Sequence, residues 1–248
     1  MANWSDPQST AAPYATAAGT RDAAYDAGLR SYMLSVYNYM ASGVLLSGIV
    51  ALLFAWGGET SAAYSVFANG GPLAWLIILS PLAIVFAMSF GQNKMSTGTL
   101  QVLFWSFAVL MGLSMSTLLL RYTGTSVAQA FFATAAGFVG LSLYGYTTKR
   151  DLSGFGSFLI VGLIGIIVAS IINIFTQSSM MALIISIAGV LIFAGLTAYD
   201  TQRIKSMYAY VAGTDMVGKV VIMSALSLYL DFINMFQFIL SIFGTARD

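Results

Sequence analysis

Two aspartates carry the chemistry this sequence can offer. Asp231 stands inside a long apolar segment. Ser224, Ser227 and Asn234 fall around it at spacings of three, four and three, which places all four on one face of a helix. Ser241 continues the stripe one heptad beyond Asn234, and Gln237 lies near it. A carboxylate at the centre of a membrane helix costs about 2.5–3.5 kcal/mol on insertion, so such a group marks a functional site by default. The fourteen Leu, Ile, Val and Phe residues of 220–243 outweigh that cost. A structural hydrogen-bond network that keeps the helix in register is the alternative reading of the same stripe.

The partner expected for Asp231 is Asp200, at the end of the preceding apolar run, although Arg203 three residues on could instead hold Asp200 in an interfacial ion pair. Two carboxylates that meet away from water cannot both ionise cheaply, so they share a proton and titrate as a pair. Their oxygens also suit a hard cation such as Ca²⁺, and protons then compete with the cation for the same site. Depth constrains the meeting. Either the last helix starts later than its apolar run, or the sixth continues past Asp200 with Arg203 and Lys205 snorkelling to water.

The elements that must position these residues follow from composition. Of 248 residues, 58% are hydrophobic and 8% charged, against about 25% charged in soluble domains. The chain therefore reads as an all-α, polytopic membrane protein. Seven uncharged apolar runs, 32–56, 72–90, 98–120, 126–146, 153–175, 180–199 and 220–243, are each long enough to span a bilayer core as a helix, and Asp231 is the one charged residue within them. Residues 1–31 are rich in Ala, Ser, Thr and Asp and read as a disordered tail. They are too long and polar for a signal peptide, so 32–56 is expected to be a retained first helix and 32–248 one transmembrane domain. Lys and Arg divide unevenly between the two sides. Arg21, Arg30, Lys94, Lys149, Arg150, Arg203, Lys205 and Lys219 fall on the side of the N-terminus, and Arg121 and Arg247 on the other. By the positive-inside rule the N-terminus is cytoplasmic and the C-terminus lies outside.

Much chemistry is excluded. Cysteine and histidine are absent, which removes disulfides, thiolate or imidazole metal sites and the commonest nucleophile–base pairs. A net charge of +1 argues against nucleic acid. Gly154 and Gly156 resemble the start of a phosphate loop but lack the rest of that fingerprint. Gly137, Gly140, Gly145, Gly162 and Gly165 are expected to let helices approach closely, and the 13 methionines to fill the core.

Three stretches, SLYGYTTKRDLSGFGSFL at 142–159, LTAYDTQRI at 196–204 and LSLYLDFINMF at 226–236, resemble the signatures of the Bax inhibitor-1 (transmembrane Bax inhibitor motif) family, in its bacterial inner-membrane branch. The resemblance runs from about residue 30 to 245. It implies a fold in which six helices surround a central seventh, and a pH-sensitive Ca²⁺ leak controlled by a di-aspartyl pair, here Asp200 and Asp231. It implies no cofactor and no enzymatic activity; Ca²⁺ and protons are the small partners, and the bilayer the large one. The sequence departs from characterised leak-forming relatives in two places. They carry an arginine latch near the junction of the second and third helices, where SFGQNKMS at 89–96 offers Lys94, a cation without the planar fork of arginine. Some also carry an acidic residue in the second helix, and this span has none and contains Pro81.

Two other functions compete. Some bacterial relatives resemble regulators of a membrane-bound ATP-dependent protease, and the tail 1–31 is a natural handle for such a partner. Tyr199-Asp200 also resembles half of the intramembrane aspartyl protease motif, but the GxGD half is missing, since Leu228-Tyr229-Leu230 precedes Asp231.

Overall fold

The computed structural model describes residues 13–247, and its regular elements are helices. They are α1 (Pro13–Phe54), the short α2 (Ala62–Phe67), α3 (Pro72–Gly91), α4 (Thr97–Arg121), α5 (Gly124–Thr147), α6 (Ser153–Thr176), α7 (Ser179–Val211) and α8 (Val217–Phe243). All but α2 contain a stretch long and apolar enough to cross a membrane, which makes seven spans among the described residues. Their outer faces carry large exposed apolar side chains, such as Leu45, Trp75, Phe132, Phe158 and Ile174, as lipid contact requires.

Local chemistry sets the boundaries. Ser96, Thr123 and Ser178 each accept the backbone N–H three residues on and cap α4, α5 and α7. Pro72 opens α3 at a position where no N–H is needed. Pro81 inside the same helix leaves the Ile77 carbonyl without its i+4 donor, and the Ser80 hydroxyl supplies one at 3.1 Å.

Two boundaries correct the sequence reading. The tail expected at 1–31 is helical from Pro13, with residues 1–12 outside the described region. Alanine at 15, 17, 18, 23, 24 and 27 favours that helix, and Leu29 and Tyr32 bury against the bundle. Beyond its drawn end at 199, α7 continues to Val211, so the second of the two routes to a meeting of Asp200 with α8 is the one taken.

The last helix is the axis of the fold. Half of the most apolar window of α8 is buried, against 11% for α6. It packs mainly on α1, α4, α5 and α7, while α3 lies on α4 and α6 on α7. The surround is therefore four helices in direct contact with α8 and two set further out. Beyond α8, residues 244–247 return to the α4–α5 junction. There Thr123 N–H bonds the Thr245 carbonyl at 3.0 Å and Arg247 N–H the Arg121 carbonyl at 2.8 Å.

Small residues divide by their surroundings. A Cβ at Gly145 would fall on the Ala198 carbonyl of α7, and one at Gly162 would press on Ile192. At Gly137, Gly140 and Gly165 the same atom meets open space, so the expected close packing does not occur there. Those three positions do not face a neighbouring helix.

Candidate functional site

The polar stripe of α8 faces the bundle interior. Ser224 and Asp231 are buried, and Ser227 and Asn234 half-buried. Across from it, α7 buries Asp200, and the Ser227 hydroxyl donates to its carboxylate Oδ2. Asp231 stands one turn further along α8, about 6 Å of helix rise from Ser227. Its Oδ2 is buried with no hydrogen-bond partner among the described residues. The helices are thus joined here through a hydroxyl, with the second carboxylate set one turn deeper.

Asp200 lines a cavity of about 280 Å³ that α3, α7 and α8 enclose at the end of the bundle rich in Lys and Arg. Arg203, Ser224 and Ser227 also line it, together with Ser89 and Gln92 at the end of α3. Arg203 stands three residues after Asp200 on α7 and lines the same cavity. Lys94, the expected latch candidate, is exposed in the turn after α3, and Gln92 and Ser89 provide the cavity wall there. Asn234 turns its amide back to the Leu230 carbonyl at 2.7 Å, serving its own helix rather than the carboxylates. Ser241 leaves the site altogether and accepts a bond from Ser186 at 3.1 Å.

Ser89, Gln92 and Tyr32 are residues the sequence reading missed. Tyr32 on α1 is buried beside Ser224, yet its hydroxyl has no partner in hydrogen-bond geometry. Ser89 and Gln92, three apart at the end of an otherwise apolar span, were the available signal. Nothing in the pattern of α1 distinguished Tyr32 from Tyr37 or Tyr39.

Next to Asp231, α8 packs on α5 through aromatic rings. Phe131 and Phe138 of α5 meet Phe232 of α8 edge to face, each at 5.6 Å between ring centres, and Phe131 also meets Phe236 at 6.3 Å. A second buried polar contact locks α8 to α1 and α4: the Tyr229 hydroxyl lies 2.6 Å from Ser47 Oγ, which is also 2.6 Å from the Ala108 carbonyl.

The two signature stretches of α5–α6 and α7 interlock. Gln202 donates to the Arg150 carbonyl at 2.7 Å and accepts the Leu152 N–H at 2.9 Å, which fixes the loop before α6. The Tyr199 ring covers Gly156, where a Cβ would collide with it. TKRDLSGFG and AYDTQ therefore belong to one structural unit that joins the loop before α6 to α7 next to Asp200. A family model described as "Inhibitor of apoptosis-promoting Bax1" matches residues 29–248.

The chain belongs to the Bax inhibitor family.

Its relatives include the inner membrane protein YbhL of Escherichia coli, 44% identical over 225 residues that cover 89% of this chain and 94% of YbhL. A protein of Caulobacter vibrioides is 46% identical over 236 residues, covering 92% and 93% of the two chains. A membrane protein of Streptococcus pyogenes is 39% identical over 219 residues, covering 88% and 94%. In this Bax inhibitor family protein, metal-ligating groups are sparse. No cluster of three or more His, Cys, Asp or Glu occurs among the described residues, so two carboxylates with hydroxyl and amide oxygens make up the hard-cation donors. That set is poorer than the six to eight oxygens of a tight Ca²⁺ site.

Proposed function

We propose that the protein is a pH-sensitive cation leak of the inner membrane, with Ca²⁺ as a permeant ion and Asp200 and Asp231 as its gate. The observation that carries this reading is the buried pair itself: Asp200 opening to a polar cavity at one end of the bundle, and Asp231 one turn deeper with an unpartnered oxygen. A sparse donor set favours conduction, because a permeant ion must bind well enough to enter and weakly enough to leave. Protonation discharges the carboxylates and so competes with the cation. The aromatic contacts of Phe131, Phe138, Phe232 and Phe236 pack α8 against α5, so on this reading opening loosens that packing. The inner-membrane placement rests on YbhL, and a cytoplasmic N-terminus on the charge bias of the loops.

The test is Ca²⁺ flux into liposomes holding the purified protein, from pH 6 to 8, for wild type, Asp200→Asn and Asp231→Asn. A pH-dependent flux altered by both substitutions is expected. Flux no greater than in empty liposomes at every pH would end the leak reading.

A second reading, a modulator of another membrane protein, draws on α1. At 42 residues it is about 63 Å long, well beyond a hydrocarbon core of about 30 Å. Its first part projects from the basic end and presents a helical handle. Deleting residues 1–22 removes this handle ahead of the Tyr25–Tyr208 contact; a leak persists in the truncated protein, and a tail-mediated interaction is lost. An aspartyl protease, the third possibility, is expected to show no activity here, since Asp200 is engaged by Ser227. Substrate cleavage abolished by Asp231→Asn, with no ion flux, would reverse that order.

A further inference from the structure

We infer that the seam between α1 and α5 holds an anionic phospholipid, its phosphate at Arg30 and an acyl chain along the groove below. The two helices run antiparallel, and each packs on α7 and α8 rather than closely on the other. The gap left between them is a cavity of about 440 Å³, within the usual range of small-molecule sites. Its floor is Met33 and Phe138, both buried, and its rims are Leu34, Val139 and Leu143, which are 52%, 65% and 61% exposed. Every one of these residues lies in a membrane-spanning segment, so the open side of the groove faces hydrocarbon. An acyl chain is the occupant that this setting provides.

Charge selects the headgroup. Arg30 lines the same groove at the basic end of the bundle and is itself exposed. Tyr146, which also lines it, carries Lys205: the ammonium donates to the Tyr146 carbonyl at 2.8 Å and sits 4.7 Å from the centre of the Tyr146 ring. Arg30 therefore sets a cation at one end of a largely apolar slot, with Lys149 and Arg150 exposed just beyond the end of α5. Guanidinium binds phosphate oxygens through paired N–H donors, and basic pockets between membrane helices recruit acidic headgroups. A zwitterionic lipid offers the same chain but adds a cation at the mouth. The groove shares Phe138 with the α5–α8 aromatic contacts but is lined by neither Asp200 nor Asp231, and it stands whether or not the protein conducts ions.

Native mass spectrometry of the full-length protein in detergent micelles tests the assignment, with phosphatidylglycerol and phosphatidylcholine of identical chains as probes. Wild type is expected to retain one phosphatidylglycerol at least about fivefold better than phosphatidylcholine. Arg30→Gln should remove about fivefold of phosphatidylglycerol retention and lower that of phosphatidylcholine by less, as expected for one basic residue at an anionic surface. Val139→Trp fills the groove and should lower retention of both. Both positions are exposed, so the fold tolerates the changes, and an unchanged thermal midpoint confirms it. Equal retention of the two lipids by wild type, or phosphatidylglycerol retention unaffected by both variants, would overturn the proposal. So would inorganic phosphate binding as tightly as the lipid, or a dimer that Val139→Trp abolishes, since the first needs no acyl chain and the second puts another copy in the groove.

Discussion

Ser227 of α8 donates its hydroxyl to the Asp200 carboxylate of α7, and this hydrogen bond crosses the interface on which the candidate site is built. Removing it leaves a buried carboxylate without that donor. Ser227→Ala should therefore cost about 1–3 kcal/mol of stability, read as a lower thermal midpoint in detergent, and should shift the pH at which any Ca²⁺ flux changes. Ser227→Thr keeps the hydroxyl and should restore both. A Ser227→Ala protein identical to wild type in midpoint and pH response would show that the bond does not hold the site.

Gly145 and its neighbours on α5 make opposite predictions within one helix. A Cβ at Gly145 falls on the Ala198 backbone, which has no rotamer to escape into, so Gly145→Ala should destabilise the protein by about 1–3 kcal/mol. Gly137→Ala and Gly140→Ala meet open space and remove a poor helix former, so each should be neutral or stabilising by up to about 1 kcal/mol. Thermal unfolding of the three variants side by side checks the contrast.

The Ser47–Tyr229 contact is expected to behave asymmetrically. Tyr229→Phe leaves Ser47 bonded to the Ala108 carbonyl, for a loss of about 0.5–1.5 kcal/mol. Ser47→Ala strands a fully buried Tyr229 hydroxyl, for about 1–3 kcal/mol. The double variant should cost less than the sum of the two, because once the serine is gone the phenol hydroxyl has nothing to bond.

Gln202 clamps the loop before α6 with two hydrogen bonds. Its replacement by Ala should cost about 1–2 kcal/mol and raise amide exchange at Leu152, while Gln202→Glu keeps the acceptor for Leu152 and loses the donor to Arg150.

Asp151 adds a pH dependence to the same loop. Its carboxylate accepts both the N–H and the hydroxyl of Ser153, at 2.9 and 2.6 Å, and these bonds hold its pKa below the ordinary 3.8. A folded-state pKa below the unfolded one means that the stabilisation is present above the ordinary value and fades as pH falls through the folded one. Asp151→Ala should flatten the loss of thermal midpoint below about pH 4, and a slope unchanged from wild type would show that the bonds to Ser153 contribute nothing to it.

Residues 13–28 bear on how the handle of α1 is to be tested. Gly28 lies under the Tyr208 hydroxyl, and the Tyr25 ring is 5.2 Å from the Tyr208 ring. A deletion of 1–28 should therefore lower the thermal midpoint by stripping cover from α7, so the handle is to be removed by a deletion that ends before Tyr25.

The sequence by itself determined the membrane class, the seven spans and the face of α8 that carries Asp231. These depend on composition and on helical periodicity, which are local properties. The helices α1 and α7 extend past the uncharged runs at 32–56 and 180–199. Arg30, Arg203 and Lys205 reach the basic end on long side chains, so charge does not end a helix there. Tertiary structure alone decided that Ser227 rather than Asp231 meets Asp200, and that Gln92 and not Lys94 walls the cavity. It also decided that Tyr32 belongs beside the site and that Gly145 is a contact while Gly137 and Gly140 are not. Each of those depends on the rotation and depth of one helix against another. Such quantities are set by the packing of many side chains at once, and no spacing along a single helix encodes them.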